Sequence, residues 1–232
     1  MNSALRPWLE RLGLLNAARS ARHRLFPDRE AMRFPSYGPE LARTIRGSGD
    51  PVRYSSLALA LRTVQNERVP GDLAEVGVYR GDTSRFLVRC APERRLHLFD
   101  TFQGFAHHDR EPENAADERF QNTSEAAVRA VLGPSANIVI HAGHFPGTAA
   151  GLEQERFAFV LMDLDVYAPT VSGLEFFYPR LSPGGYCFVH DYNSPESNWA
   201  CRRAVTEFMT GKPERVIELS DTWGSAVFRK GG

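Results

Sequence analysis

Two runs of apolar residues in this 232-residue chain end in carboxylates. Phe157–Met162 is followed by Asp163 and Asp165, two positions apart, and the run ending at Val189 is followed by His190 and Asp191. Three carboxylates and an imidazole, with no Lys or Arg close by in sequence, repel one another unless a proton or a cation intervenes. A hard divalent ion such as Mg²⁺ prefers oxygen ligands and needs few from the protein, which makes it the natural way to relieve that repulsion. Imidazole suits Zn²⁺, Fe²⁺ or Ni²⁺ better, so His190 is open as ligand, as base or as a hydrogen-bond donor to its neighbours. Asp165 is the candidate proton acceptor. Its plainer role is to cap a helix that starts near Ala168–Pro169.

Magnitudes show where a cation would matter, namely where the proton to be taken sits on an alcohol. Water, which an alcohol resembles, has a pKa of about 15.7 and a carboxylate one near ~4, so proton abstraction is uphill by roughly eleven units. Metal coordination brings bound water to about 7, which closes most of that gap. A phenol, near ~10, needs less help.

These residues need a scaffold that brings strand ends together. From residue 72 onward, short apolar runs alternate with helical patterns, which is the signature of a wound α/β sheet. The runs predict strands at 73–78, 96–100, 137–142, 157–163 and 185–192. Helices are predicted at 82–91, 124–133, 146–154, 169–181 and 198–211. The runs are nearly all apolar, as strands covered on both faces are. Residues 214–230 hold two strand-like runs with a short turn-rich link, which predicts a terminal antiparallel hairpin. The stretch 101–125 is long, polar and non-periodic, with paired His107 and His108; loops of that length are commonly functional or disordered. Isolated His97 sits within a strand as a core or sheet histidine.

The first strand leads into a turn with room for a ligand. Glu75 lies in the strand, and Gly77 and Gly81 flank the turn into a helix opened by Asp82, Thr83 and Ser84. Glycines there let the backbone approach a ligand closely. The dinucleotide fingerprint G-x-G-x-x-G is absent, which argues against a nicotinamide cofactor. The second strand ends in Asp100, placed to accept hydrogen bonds from a ribose. An ordinary α/β turn and helix cap is the plainer reading of both.

Composition narrows the class. The 28 basic and 28 acidic residues balance, so no global field recruits nucleic acid or an anionic membrane. Cys90, Cys187 and Cys201 are odd in number and widely spaced, which suggests neither a disulfide framework nor a metal knuckle and fits a reducing cytoplasm. No window reaches the ~20 apolar residues of a membrane span. Residues 1–50 carry nine Arg against five acids, with Trp8, Leu9, Leu12 and Leu15 able to share one helical face. That segment is expected to be a helical extension, a lid or dimer contact, ahead of a domain over 51–232. A homodimer or higher homo-oligomer is left open.

The segments "GDLAEVGVYRGDTSRFL", "LFDTFQGF", "MDLDVYAPT", "FYPRLSPGGY" and "HDYNSP" with "CRRAVTEF", in that order across residues 70–210, resemble the macrocin O-methyltransferase (TylF-type) family of class I S-adenosylmethionine-dependent methyltransferases. The resemblance implies a Rossmann-like α/β fold: a mostly parallel sheet with a C-terminal antiparallel hairpin and helices on both faces. It implies methylation of a hydroxyl on a sugar or glycosylated natural product, S-adenosylmethionine as cofactor and a divalent metal, Mg²⁺ first, assisting. By that likeness Glu75, Gly77 and Gly81 lie along the cofactor's methionine end, Asp100 holds its ribose, and Thr83 and Ser84 join the cofactor-binding residues. Gly143 and His144 line the adenine, and Asp163 stands near the reacting end. Asp163 and Asp191 match the family's metal-binding acids. The family commonly reads Asp-Asp where this chain has His190-Asp191, which leaves the metal's identity and the role of His190 open. The alternatives are a cofactor-binding partner subunit that has lost catalysis and a methyltransferase acting on a phenolic hydroxyl.

Overall fold

A computed structural model describes residues 38–110 and 116–232. The chain divides into two compact units, Met1–Gly47 and Ser48–Gly232. The described part of the first holds helix α1 (Pro39–Gly47); the helical face expected around Trp8–Leu15 lies outside the described residues.

The second unit runs α2 (Pro51–Asn66), β1 (Asp72–Val76), α3 (Asp82–Cys90), β2 (Leu96–Asp100), α4 (Glu125–Leu132), β3 (Ile138–Ala142), β4 (Phe157–Met162), α5 (Tyr167–Phe177), β5 (Leu181–Val189), α6 (Ala200–Met209), β6 (Ile217–Leu219) and β7 (Ser225–Arg229). Seven strands form one sheet in the order β3-β2-β1-β4-β5-β7-β6. The first five are mutually parallel, and β7 pairs antiparallel with both β5 and β6. The expected terminal hairpin is therefore β6–β7, with β6 on the edge.

Helices cover both faces. α2 packs on α3 and α3 on α4, while α5 and α6 pack on each other. Strands enclosed in this way are apolar throughout: every residue of β4 is buried. Phe99, Phe145, Phe157 and Phe177 interlock edge to face or stacked, with ring centroids 5.0 to 6.0 Å apart, and fill the core beside β4.

Three details depart from the sequence expectation. The helix expected over 146–154 is a single 3-10 turn, Gly147–Ala149, because Gly151 adopts φ +90°, which a helix cannot continue through. β5 begins at Leu181 rather than 185. Helix α2 was not anticipated. Its buried positions include Ser55, Ala58 and Ala60 beside Leu57, Leu61 and Val64, and such small residues blur an apolar stripe. Its start is conventional: Asp50 accepts a hydrogen bond from Arg53 N at 3.0 Å and Pro51 stands in the first turn.

Candidate active site

Parallel register sets the site. The residue after each strand is tied to the end of a neighbouring one: Gly143 N to Asp100 O at 2.9 Å, Gly77 N to Phe99 O, one residue before the end of β2, at 2.9 Å, and Asp163 N to Val76 O and His190 N to Met162 O at 2.8 Å each. The tips of β3, β2, β1, β4 and β5 thus lie side by side along the carboxyl edge of the sheet. Open α/β sheets bind ligands there, and the order reverses between β1 and β4. A cavity of about 360 Å³ opens over this edge, lined among others by Arg53, Gly77, Asp100, Asp163, Asp165 and Asp191.

Its two ends differ. At the β1 end, Gly77 and Gly81 have φ +88° and +80°. A Cβ on Gly77 would sit 1.9 Å from the Asp163 carbonyl oxygen, so only glycine lets β1 and β4 close up here. Glu75 is fully buried, and Ser84 donates to its carboxylate at 2.5 Å. Burial pushes the Glu75 carboxyl up to about 8, against the opposing pull of Ser84 and Arg53. Ser84 therefore faces Glu75 and does not line the cavity, whereas Thr83 does and meets the Tyr54 hydroxyl at 3.4 Å. Asp100 Oδ2 accepts from Val78 N and Tyr79 N at 2.7 and 2.9 Å, and Oδ1 from Phe102 N at 2.6 Å. A carboxylate has about four lone-pair sites, so Asp100 fixes the turn and keeps one for a ligand. Gly143 and His144 line the far side, where His144 Nε2 lies 2.6 Å from Asp109 Oδ2.

At the β4–β5 end the carboxylates gather. His190 Nδ1 lies 3.1 Å from Asp163 Oδ1 and 2.8 Å from Asp191 Oδ2. The other Asp163 oxygen accepts from Arg53 Nη2 at 2.6 Å. Arg53, 110 positions away in α2, is thus a protein cation that sequence neighbourhood concealed; the Asp50–Pro51 helix start was its available signal. Burial would raise the Asp163 carboxyl, but the charges of Arg53 and His190 outweigh it and hold it far below the usual range. Burial likewise opposes charge on His190, yet the two aspartates carry it up to about 10.

Asp165 is the opposite case. It is buried, and burial together with the negative charges of Asp191 and Asp163 pushes its carboxyl well above the ordinary value, with Arg119 Nη2 3.8 Å away pulling the other way. The helix-cap alternative finds no support: α5 has Val166 at its N-cap and no side-chain cap. Asp165, Asp191 and Tyr79 line the cavity with φ +61°, +56° and +52°, a left-handed backbone that side chains other than glycine rarely adopt. Such residues cluster where function over-determines the backbone.

Thr101, Gly104, Phe105, Ala106, Asp109, Arg119 and Phe120, from the 101–125 stretch, form a further part of the cavity wall. Phe105 and Phe120 meet edge to face at 5.4 Å, Tyr79 meets Phe120 at 5.1 Å, and Arg119 lies over both phenylalanine rings. Within that stretch His107–Asp109 forms a short 3-10 turn with His108 exposed. Other residues weighed from sequence lie elsewhere. Tyr167 donates to Glu207, Arg202 pairs with Glu218, and Tyr192 is buried in the core. His97 is buried in β2, bridging Asp72 and His141.

The chain matches the family model described as macrocin-O-methyltransferase (TylF) over residues 16–229. It is 31% identical over 207 residues to the 8-demethyl-8-(2,3-dimethoxy-alpha-L-rhamnosyl)-tetracenomycin-C 4'-O-methyltransferase of Streptomyces olivaceus, covering 82% of this chain and 76% of that one. It is 30% identical to the mycinamicin III 3''-O-methyltransferase of Micromonospora griseorubida, over 78% of this chain and 76% of the relative. Among solved structures, the O-methyltransferase NovP superposes with TM-score 0.66 at 24% identity, over 78% of this chain and 81% of its own. The calicheamicin methyltransferase CalS11 does so with TM-score 0.63 at 23% identity, over 86% and 96%. At those identities the structural likeness speaks to the fold.

Proposed function

Because the chain belongs to the macrocin-O-methyltransferase (TylF) family of O-methyltransferases, we propose that it moves a methyl group from S-adenosylmethionine to a hydroxyl of a sugar on a glycosylated natural product. The observation that carries this reading is Asp165: a buried carboxylate made more basic by Asp163 and Asp191, in the same cavity as the glycine turn and Asp100. The substrates named for the two relatives from Streptomyces olivaceus and Micromonospora griseorubida support a sugar hydroxyl. The aromatic wall of Tyr79, Phe105 and Phe120 offers the apolar surface a sugar ring presents its C–H groups to.

In this mechanism Glu75, Thr83 and the Gly77–Gly81 turn hold the methionine end, Asp100 the ribose, and Gly143 with His144 the adenine. When bound, S-adenosylmethionine would supply the methyl group, its sulfur–methyl bond exchanged for an oxygen–methyl bond, and Asp165 is placed to take the hydroxyl proton. A general base with a raised pKa gives a better match to a weakly acidic hydroxyl than an ordinary carboxylate does. Arg53 fixes Asp163, so the acid cluster keeps its shape while charge shifts.

The donor set fits a divalent cation. Asp163, His190 and Asp191 each offer one ligand atom, all within 4.8 Å of one another, and Arg53 donates to Asp163 Oδ2 while His190 Nδ1 meets Oδ1. When bound, such an ion supplies Lewis-acid polarisation of the hydroxyl. Cys90, Cys187 and Cys201 are buried and form no disulfide among the described residues, which supports a cytoplasmic setting. No helix among the described residues is long and apolar enough to cross a membrane. The segment 1–50 belongs to the same proposal as a lid or dimer contact.

The test is Asp165→Asn. It is expected to lower kcat by about 10²–10⁴-fold, the usual worth of a positioned base, with S-adenosylmethionine affinity retained. Full activity would remove Asp165 from the mechanism.

A further inference from the structure

One nitrogen at the site has no work in the mechanism above. His190 is 6% exposed, and its Nε2 is buried without a hydrogen-bond partner among the described residues. Asp221 Oδ1 is buried in the same condition. A ring nitrogen of His190 and one oxygen from each of Asp50 and Asp221 lie within 4.8 Å of one another. Both carboxylates are held in place: Asp50 accepts from Arg53 N at 3.0 Å and Thr222 N at 2.8 Å, and Asp221 Oδ2 accepts from Ser225 Oγ at 2.6 Å. The start of α2 and the turn before β7 therefore bring two acids onto one buried imidazole, whose Nδ1 faces Asp163 and Asp191.

A separation too long for a direct bond between buried polar groups is one that a single water spans. An imidazole that ligates a metal through one nitrogen almost always gives its other N–H to a carboxylate, which fixes tautomer and ring orientation. Replacing a carboxylate ligand by imidazole moves preference from hard ions toward borderline ones.

We propose that Asp50 and Asp221 are positioning residues that hold His190 through its Nε2–H, so that Nδ1 serves as a metal ligand and the site selects a borderline transition ion over Mg²⁺. This rests on the metal-assisted reading of the site. Neither acid was marked by sequence, because one caps a helix and the other sits in a turn.

Transition ions outbind Mg²⁺ at most mixed sites, so the discriminating quantity is a change in ratio. Chelator-stripped full-length protein is titrated calorimetrically with Co²⁺ and with Mg²⁺, alongside His190→Asp and Asp221→Asn, with circular dichroism confirming that each variant is folded. The ratio of Mg²⁺ to Co²⁺ dissociation constants is expected to fall, by about tenfold or more, in His190→Asp, because a carboxylate in place of imidazole returns preference toward the hard ion. Asp221→Asn is expected to weaken Co²⁺ by about 10–100-fold, the usual cost of losing such an outer carboxylate. Proton NMR of the Co²⁺-loaded wild type should show a hyperfine-shifted, solvent-exchangeable imidazole N–H signal that His190→Asp lacks. An unchanged ratio in His190→Asp, or no such signal in the wild type, overturns the proposal while leaving a metal site possible. No binding of either ion by the wild type overturns the proposal and the metal-assisted reading together; S-adenosylmethionine titration of the same sample tells that result apart from failure of the methyltransferase reading.

Discussion

Glu75 shows how one residue couples burial to binding. Its carboxyl is raised from 4.5 to about 8 because β1 buries it, so the folded protein binds a proton there that the unfolded chain releases. The stability it contributes is full below about pH 4.5 and is lost as pH rises through about 8. Denaturation of wild type and Glu75→Gln across that window should show the wild type losing ground by up to about 1.4 kcal/mol per pH unit, the linkage limit for one proton. A pH-independent difference would contradict the neutral Glu75. In the proposed function Glu75 meets the cofactor's ammonium group as a charged carboxylate, so cofactor binding below pH 8 should release a proton. Calorimetry in two buffers of different ionisation enthalpy reads that directly. Asp165, Asp163 and His190 were legible as residues because each follows an apolar run; their opposite shifts were not, since those depend on which carboxylate Arg53 reaches.

At the scale of elements, the site depends on two close approaches. Gly77→Ala places a Cβ 1.9 Å from the Asp163 carbonyl in a left-handed backbone. The variant should be destabilised by more than the ~1–2 kcal/mol of the backbone cost alone, with a matching loss of activity, because relief of the clash moves Asp163. Equal stability by thermal melting would mean that β1 and β4 tolerate separation. Helix α2 is the second approach. Arg53 and Asp163 are both mostly buried, with side chains 12% and 24% exposed, so Arg53→Met strands a carboxylate in a poorly hydrated place. The expected cost is about 3 kcal/mol in chemical denaturation, at the lower end for breaking a buried pair; under ~1 kcal/mol would show that Asp163 finds another partner. The sequence concealed α2 for a physical reason. Its packing face is built of Ser and Ala as well as Leu, and small side chains bury well without announcing a stripe. The 146–154 segment misled in the other direction: its composition permits a helix, but Gly151 turns the backbone out of one.

At the scale of the whole molecule, strand order does the positioning. Five parallel strands deliver their carboxyl ends to one edge, and the reversal between β1 and β4 opens the crevice that the cavity occupies. A mostly parallel sheet was readable from apolar runs alternating with helices, as was the β6–β7 hairpin, whereas periodicity carries no information on strand order. The convergence of Asp50 and Asp221 on His190 was not readable, because it joins the start of α2, more than 100 positions upstream, to the turn before β7 through tertiary packing. Since the cavity draws on α2, the β1 turn and the tips of four other strands, a ligand there ties the unit together. Cofactor at a hundred times its Kd should stabilise the protein by about 2.7 kcal/mol, and an unchanged melting temperature would argue that the cavity is not its site.

The most direct test of the central claim follows the methyl group itself. The protein is incubated with methyl-labelled S-adenosylmethionine and a panel of deoxysugar glycosides, and the product is located by mass spectrometry and NMR. Label in a methyl ether on a sugar carbon, formed by the wild type and lost in Asp165→Asn, is the result this account requires. Label on a phenol or a nitrogen, or equal product from Asp165→Asn, would contradict it.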